Sequence, residues 1–129
     1  MNKNLLKKIP SLAVMITIFT LSAIPGDEPF LNVFNFSDKI KHFAIYFILG
    51  LTFCLWISNE KWLAKPFFFG SLIVVLCAIF GIFDEFHQSF VPNRSGNDLG
   101  DLAADILGGF LSPFAYILII KIRKFAAKN

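Results

Sequence analysis

The chain has 129 residues, of which 56% are hydrophobic and 17 are phenylalanine, and its mean hydropathy is +0.66. A water-soluble domain of this size does not need so many apolar residues to fill its core, so the composition indicates a membrane protein. The net charge of +3 does not indicate nucleic-acid binding, because the basic residues are split among separate tails and a short loop.

Four apolar runs follow one another along the chain. They are Ile9–Gly26, His42–Asn59, Pro66–Phe83 and Ile106–Ile120, and apart from His42 they contain no Asp, Glu, Lys, Arg or His. Each is near the roughly 17–25 residues that a helix needs to cross a bilayer. We therefore predict an all-α polytopic membrane protein, a single domain over residues 1–129 that folds as a bundle of four transmembrane helices. The alternative of buried helices in a water-soluble core requires polar helix faces at 3.6-residue spacing, and Phe67–Phe83 has none.

The first run has a second interpretation as a cleavable secretory signal. Lys7 and Lys8 precede an apolar stretch that ends in the small residues of Ser22–Gly26, which is the order found in such signals. The run lacks a clean small-x-small cleavage site, so we favour a retained helix.

The charges predict how the helices are oriented. With four spans, nine of the 12 basic residues and the single acid Glu60 lie on the side that holds both tails and the loop before Pro66. The opposite side holds three basic residues and eight acidic residues, in the segments Asp27–Lys41 and Asp84–Asp105. The positive-inside rule therefore places both termini in the cytoplasm and both acidic segments outside.

Polar side chains recur at helical spacing where three of the predicted helices meet the outer face. Lys39, His42 and Tyr46 share one face of the second helix, Asp84, Glu85, His87 and Gln88 end the third, and Asp98, Asp101 and Asp105 share one face of the fourth. Ionisable residues at a membrane boundary are candidates for function, and neighbouring helices would gather them into one outward-opening cavity. Gly108 and Gly109 further along the fourth helix predict close helix packing.

The alternative interpretation is a structural ion-pair network that binds nothing. In that network Arg94 pairs with Asp98 or Asp101, Lys39 pairs with Glu85, and the histidine of the second helix is hydrogen-bonded across helices.

The polar pattern resembles the VanZ-like family of small membrane proteins. It reads Lys39-x-x-His42-x-x-x-Tyr46, then Asp84-Glu85-x-x-Gln88-x-x-x-Pro92-x-Arg94, then Asp101-x-x-x-Asp105-x-x-Gly108. The resemblance singles out Glu85, Gln88 and Arg94 over Asp84 and His87. The candidate binding residues are therefore Lys39, His42, Tyr46, Glu85, Gln88, Arg94, Asp101 and Asp105.

The resemblance also implies a role in the cell envelope. The family is named for a glycopeptide-resistance accessory protein that lowers susceptibility to teicoplanin. Where the family often has Asn in the fourth helix, this chain has Asp105, which keeps the hydrogen-bonding shape and adds an ionisable group.

Three functions remain open. A binding protein would use Arg94 and Lys39 to hold the phosphate or carboxylate of an amphiphilic ligand, with Phe-rich helices beside it. A membrane enzyme would use Glu85 as general base and His42 as its acid partner, with Arg94 stabilising an anionic transition state. A pore or transporter is a weaker option, because four short spans enclose little volume in a monomer.

Partners and cofactors follow from the same residues. The predicted partners are membrane lipids and a lipid-linked cell-wall precursor or a lipoglycopeptide. We predict no cofactor and no metal, because the chain has no HExxH motif and no cysteine cluster, although His42, Glu85, His87, Asp101 and Asp105 are residue types that can ligate a metal. Cys54 and Cys77 lie within apolar runs and predict packing rather than redox chemistry.

Overall fold

The computed structural model describes residues 3–29 and 37–128, which form six helices. The helices are α1 (Lys3–Leu6), α2 (Ile9–Ser22), α3 (Asp38–Cys54), α4 (Asn59–Ala64), α5 (Pro66–Gln88) and α6 (Leu99–Ala126). The described residues contain no strand, which confirms the all-α prediction.

Local chemistry explains where the helices begin and end. α2 ends at Ser22, shorter than the apolar run Ile9–Gly26, because the chain must leave the helical conformation before Pro25. α5 begins at Pro66, where a missing amide hydrogen costs nothing. α6 begins after Asp98, whose Oδ1 accepts a hydrogen bond from the Gly100 amide at 2.6 Å.

Three of the helices extend past their apolar runs into the charged segments. α3 starts at Asp38 rather than at His42, α5 continues beyond Phe83 to Gln88, and α6 starts at Leu99 rather than at Ile106. The polar residues at the predicted boundaries therefore belong to regular helices, which fixes their directions. The short helices α1 and α4 were not predicted, because neither lies in an apolar run of sufficient length.

Pro113 lies inside α6, where it cannot donate to the carbonyl of Gly109 four residues earlier. The Ser112 hydroxyl donates to this carbonyl at 2.9 Å. Because the Gly109 carbonyl thus keeps a hydrogen-bond donor from the same helix, α6 continues to Ala126.

Glycines set the distances between the three central helices. α3 makes its most extensive contact with α6, which also packs against α5. A Cβ atom at Gly108 would collide with the Phe43 carbonyl oxygen and lie 2.8 Å from the Phe47 amide nitrogen, and one at Gly109 would lie 2.6 Å from the Cβ of Cys77. The adjacent glycines thus let α6 approach both neighbours, as predicted.

The outward surface of α5 and α6 is apolar and exposed. Only 17% of the most apolar 18-residue stretch of α5 and 33% of that of α6 is buried, and Phe67 is 87% exposed. Both helices are long and apolar enough to cross a membrane, and α2 is a shorter apolar helix. A core helix of a water-soluble protein would be mostly buried, so this surface indicates a membrane protein.

Among the residues whose burial the structure describes, the buried apolar side chains come from five helices. They include Leu49, Phe53, Trp62, Ile73 and Ile120. Tyr46, with no exposed surface, lies where this core meets the buried polar residues described next.

Candidate functional site

Buried polar side chains gather where the ends of α2 and α5 meet the beginnings of α3 and α6. This group, called the polar cluster below, consists of Ser22, His42, Tyr46, Asp84, Glu85, Gln88, Asp101 and Asp105, each at most 8% exposed. Six of the eight residues predicted for binding belong to it. Lys39 and Arg94 lie at its edge.

Lys39 forms ion pairs with two carboxylates at the beginning of α6. Its Nζ lies 3.1 Å from Asp101 Oδ1 and 3.4 Å from Asp98 Oδ2. The pairing of Lys39 with Glu85 is therefore wrong, and two other protein carboxylates engage the half-exposed Lys39 ammonium. The Gly100 amide first, and Lys39 second, hold the pKa of the Asp98 carboxyl below its usual value.

His42 and Asp105 form an inner pair. His42 Nδ1 lies 3.0 Å from Asp105 Oδ1, and Asp105 is completely buried. The other oxygen, Asp105 Oδ2, faces α5, since a Cβ atom at Gly81 would lie 2.9 Å from it. Oδ2 has no hydrogen-bond partner in the part of the chain that the structure describes. One carboxylate oxygen thus orients the imidazole, and the other is left without a partner.

Glu85 ties the end of α5 to the segment before α6. Its Oε2 accepts a hydrogen bond from the Asp98 amide at 2.8 Å, and its backbone carbonyl accepts one from the Asn97 amide at 3.3 Å. Its Oε1 is buried and has no partner among residues 3–29 and 37–128. The carboxylate is therefore held in place through one oxygen only.

Asp84 belongs to the cluster although the family pattern gave it less weight than its neighbour. Gln88 Nε2 donates to Asp84 Oδ2 at 3.0 Å and lies 3.4 Å from Ser22 Oγ. The signal in the sequence was the spacing of four residues that puts Asp84 and Gln88 on one face. His87 is outside the cluster, and its ring stacks on Phe19 with the centroids 4.2 Å apart.

Arg94 contacts the end of α2 rather than an acid of α6. Its Nε donates to the Ile24 carbonyl at 3.0 Å, and its Nη2 donates to the Leu21 carbonyl at 2.8 Å. The predicted pairing with Asp98 or Asp101 is therefore wrong. The guanidinium supplies donors at a helix end, where the Leu21 carbonyl also accepts a hydrogen bond from the Ile24 amide at 3.2 Å.

An open cavity of about 140 Å³ lies between α2, α3 and α5, beside the polar cluster. Its apolar wall is formed by Ile18, Leu21 and Ile45, and its polar wall includes His42, Tyr46, Asp84 and Gln88. Tyr46 Oη and Asp84 Oδ1, which belong to two residues lining this cavity, are buried and have no hydrogen-bond partner among the described residues. Buried polar atoms are rarely left in this state.

The cluster holds more acids than bases. Its acids are Asp84, Glu85, Asp101 and Asp105, against His42 inside the cluster and Lys39 at its edge. A buried carboxylate needs a proton, a basic partner or a metal ion. His42, Glu85 and Asp105 each offer a ligand atom, and the three atoms lie within 4.8 Å of one another. The arrangement can therefore exchange protons or hold a cation.

Comparison with known proteins agrees with the resemblance seen in the sequence. An uncharacterized protein of Schizosaccharomyces pombe is 34% identical over 113 residues, which cover 87% of this chain and 65% of that relative's length. No solved structure matches. A sequence model of the VanZ/LLP1 family matches residues 3–121, a range that contains every residue of the polar cluster. The chain therefore belongs to the VanZ/LLP1 family.

Proposed function

We propose that this protein is a multi-pass cell-membrane protein that binds the polar head group of an amphiphilic cell-envelope ligand at its outer face. α2, α3, α5 and α6 are the four spans, both termini are cytoplasmic, and the polar cluster faces outside. The observation that carries the proposal is the cavity between α2, α3 and α5, whose polar wall stands beside an apolar wall. Such a surface suits a molecule with a polar head and an apolar tail.

Helix lengths support the proposed spans to different degrees. At 1.5 Å per residue, the 23 residues of α5 extend about 35 Å and the 28 of α6 about 42 Å, more than the roughly 30 Å of bilayer hydrocarbon. The 14 residues of α2 extend about 21 Å and the 17 of α3 about 26 Å. Local bilayer thinning and flanking interfacial residues accommodate helices of this length.

Cysteine labelling in intact cells tests the orientation. A single cysteine introduced at Ser95, between α5 and α6, should react with a membrane-impermeant thiol reagent, whereas one at Lys128 should not. Cys54 and Cys77 are buried, so they add little background. Labelling at Lys128 alone would reverse the proposed orientation.

The cavity volume limits what can enter. Drug-sized ligands occupy pockets of about 300–1,000 Å³, whereas this cavity offers about 140 Å³. It therefore accommodates a head group and not a whole lipid. The apolar chains of the ligand would lie along the exposed apolar surface of the helices.

Both signs of charge line the cavity, which suits a head group with anionic and hydrogen-bonding parts. Lys41 and Arg94 contribute positive charge, and Asp38 and Asp84 contribute acids. Arg94 uses two donors on backbone carbonyls and keeps others for a phosphate. A hydroxyl or amine of the ligand would bond to Asp84 Oδ1 or Tyr46 Oη. This pattern fits a lipid-linked cell-wall precursor or a lipoglycopeptide.

The variant Tyr46→Phe tests the proposal with little disturbance to the fold. It removes a buried hydroxyl that has no partner among the described residues, so folding should be unaffected or slightly improved. Native mass spectrometry of the detergent-solubilised protein measures the lipid that co-purifies. We expect wild type to retain a lipid that Tyr46→Phe loses.

Tyr116→Phe is the matched control. Tyr116 lies in α6 near α4, with its Oη 3.4 Å from Asn59 Oδ1. This variant should retain the lipid. If wild type and both variants carry the same lipid in equal amounts, the cavity is not the binding site.

A role in glycopeptide susceptibility follows if the ligand is a cell-wall precursor or a lipoglycopeptide. Expression of wild type in a sensitive host should then raise the inhibitory concentration of teicoplanin, and expression of Tyr46→Phe should not. Equal inhibitory concentrations with and without wild type would refute this role while leaving lipid binding to be judged by mass spectrometry.

A membrane enzyme acting on a lipid-linked head group is the second candidate, favoured by the His42–Asp105 pair. A carboxylate bonded to one imidazole nitrogen orients the ring for proton transfer by the other. Glu85 lies close enough for its carboxylate to act with His42. Glu85→Gln keeps the shape and cannot accept a proton, so unchanged conversion of a lipid-linked substrate by this variant would exclude Glu85 as general base.

A further inference from the structure

We propose that His42, Glu85 and Asp105 together bind one divalent transition-metal cation, of the Zn²⁺ or Mn²⁺ class, between α3, α5 and α6. Each residue offers one ligand atom, and the three atoms lie within 4.8 Å of one another. The sequence contains no metal motif because the ligands come from three separate helices. The proposal stands whether or not the cavity binds an amphiphile.

The distances fit a shared ion. Nitrogen and carboxylate ligands lie about 2.1 Å from Zn²⁺, so two ligands of a tetrahedral site are about 3.4 Å apart. His42 Nδ1 and Asp105 Oδ1 are 3.0 Å apart. The other separations in the set are at most 4.8 Å, so side-chain movements would have to shorten them by up to about 1.4 Å.

Two carboxylate oxygens of this set need a partner that the described residues do not supply. Glu85 Oε1 and Asp105 Oδ2 are buried and have no hydrogen bond, in residues that are 3% and 0% exposed. The other oxygen of Glu85 is held by the Asp98 amide, whereas Asp105 Oδ1 and His42 Nδ1 would exchange their mutual contact for the shared ion. Ligating carboxylates are commonly fixed in this way by a second partner.

A second set of residues also has ligand atoms within 4.8 Å of one another, but it is a weaker site. It consists of Asp38, His42 and Asp101. Asp101 is already paired with Lys39, and the exposed Asp38 lies 3.8 Å from the ammonium of Lys41. The inner set is favoured because all its members are buried and two of its oxygens lack partners.

The donor set indicates the kind of ion. One imidazole and two carboxylates suit Zn²⁺ or Mn²⁺, whereas Ca²⁺ prefers oxygen ligands alone and Cu⁺ prefers sulfur. Two carboxylates also balance the charge of a divalent ion, which matters in a bundle interior that solvates net charge poorly. His42 lines the open cavity as well, which gives the ion a path to the site.

Metal analysis of the detergent-purified protein tests the proposal. Tag-free wild type is stripped with a chelator, reloaded with Zn²⁺ or Mn²⁺, desalted and measured by mass spectrometry of the elements. We expect about one ion per chain. Affinity for the metal should be at least about 100-fold lower in Glu85→Gln and Asp105→Asn, because loss of a residue that only hydrogen-bonds to a ligand already lowers metal affinity about 10–100-fold. Glu28→Gln and Asp27→Asn make the same chemical changes at exposed acids and should bind as wild type does.

A measurement on wild type alone guards against variants that fail to fold. Free Mn²⁺ gives a six-line electron paramagnetic resonance spectrum that weakens when the ion is bound. We expect an equimolar amount of stripped wild type to diminish this signal and Zn²⁺ to compete for the site. An undiminished signal together with no retained Zn²⁺ overturns the proposal, as does metal content in Glu85→Gln and Asp105→Asn equal to that of wild type.

Discussion

Replacing Gly108 with alanine should separate α3 from α6, the two helices with the most extensive contact in the bundle. The added Cβ would meet the Phe43 carbonyl oxygen, lie 2.8 Å from the Phe47 amide nitrogen and lie 3.2 Å from the Tyr46 carbonyl carbon. These atoms belong to the backbone of a regular helix, so no side-chain rotation relieves the collision. The helices must move apart.

The size of the effect follows from these distances. Restoring an ordinary contact of about 3.4 Å to the Phe47 nitrogen requires a displacement of at least about 0.6 Å, and a gap of that size forfeits about a quarter to a half of the dispersion energy of the atoms it separates. Overpacked cores typically lose about 1–3 kcal/mol, and we expect Gly108→Ala near the upper end because only backbone atoms can yield.

Gly70→Ala is the matched control in another helix. Its added Cβ would meet only the Pro113 Cβ, at an ordinary 3.7 Å. Alanine is a better helix former than glycine by about 1 kcal/mol, so this variant should be as stable as wild type or more stable.

Unfolding of both purified variants in detergent, followed by circular dichroism during an SDS titration, measures the difference. A free energy of unfolding for Gly108→Ala within about 0.5 kcal/mol of wild type would refute the argument, because changes that disturb no packing fall in that range.

Two further predictions concern hydrogen bonds at α6. Ser112→Ala should lower the free energy of unfolding by about 1–3 kcal/mol, because the Gly109 carbonyl then loses the donor that replaces Pro113, and an SDS titration showing no loss would contradict this. Asp98→Asn should be less stable than wild type at neutral pH, because the Gly100 amide favours the ionised carboxyl. Since the pKa of Asp98 is lowered in the folded state, this advantage of wild type exists above the unfolded pKa of about 3.9 and is lost as pH falls through the folded pKa. Thermal unfolding temperatures of the two proteins should therefore converge in acid, and a constant difference across pH would contradict the assignment.

Helical periodicity predicted a large part of the candidate site. The spacing of Lys39 and His42 on α3 and of Asp101 and Asp105 on α6 put each pair on one face. In the structure Lys39 meets Asp101 and His42 meets Asp105. The period of a helix fixes the directions of its side chains, so faces are readable before the fold is known.

The partners of Arg94 were not predictable in the same way. Arg94 lies in the connection between α5 and α6, where Asn93 and Asn97 adopt positive φ values of 57° and 63°. Backbone turns of this kind set the direction of the chain and leave no periodic pattern. The arginine consequently reaches the carbonyl of Leu21, whereas charge complementarity had suggested an acid.

Helix lengths were underestimated where charges begin. A count of uncharged residues stops at Phe83, yet α5 continues to Gln88 because its polar side chains find partners within the bundle. Hydropathy measures transfer of single residues to hydrocarbon and takes no account of such pairing.

The polar cluster joins residues that the ribosome synthesises at different times. His42 and Asp105 are 63 positions apart, and Ser22 and Gln88 are 66 positions apart. Because the N-terminal part of a chain leaves the ribosome first, α3 is made before its buried partner on α6 exists. In the proposed arrangement of four spans, His42 must until then stay at the membrane surface or in the water of the insertion machinery, since an unpaired ionisable group in hydrocarbon is costly. The bundle can therefore pair and bury these polar residues only after α6 is complete. A product truncated before Leu99 would leave them unpaired, and we expect the proteases of membrane quality control to degrade it.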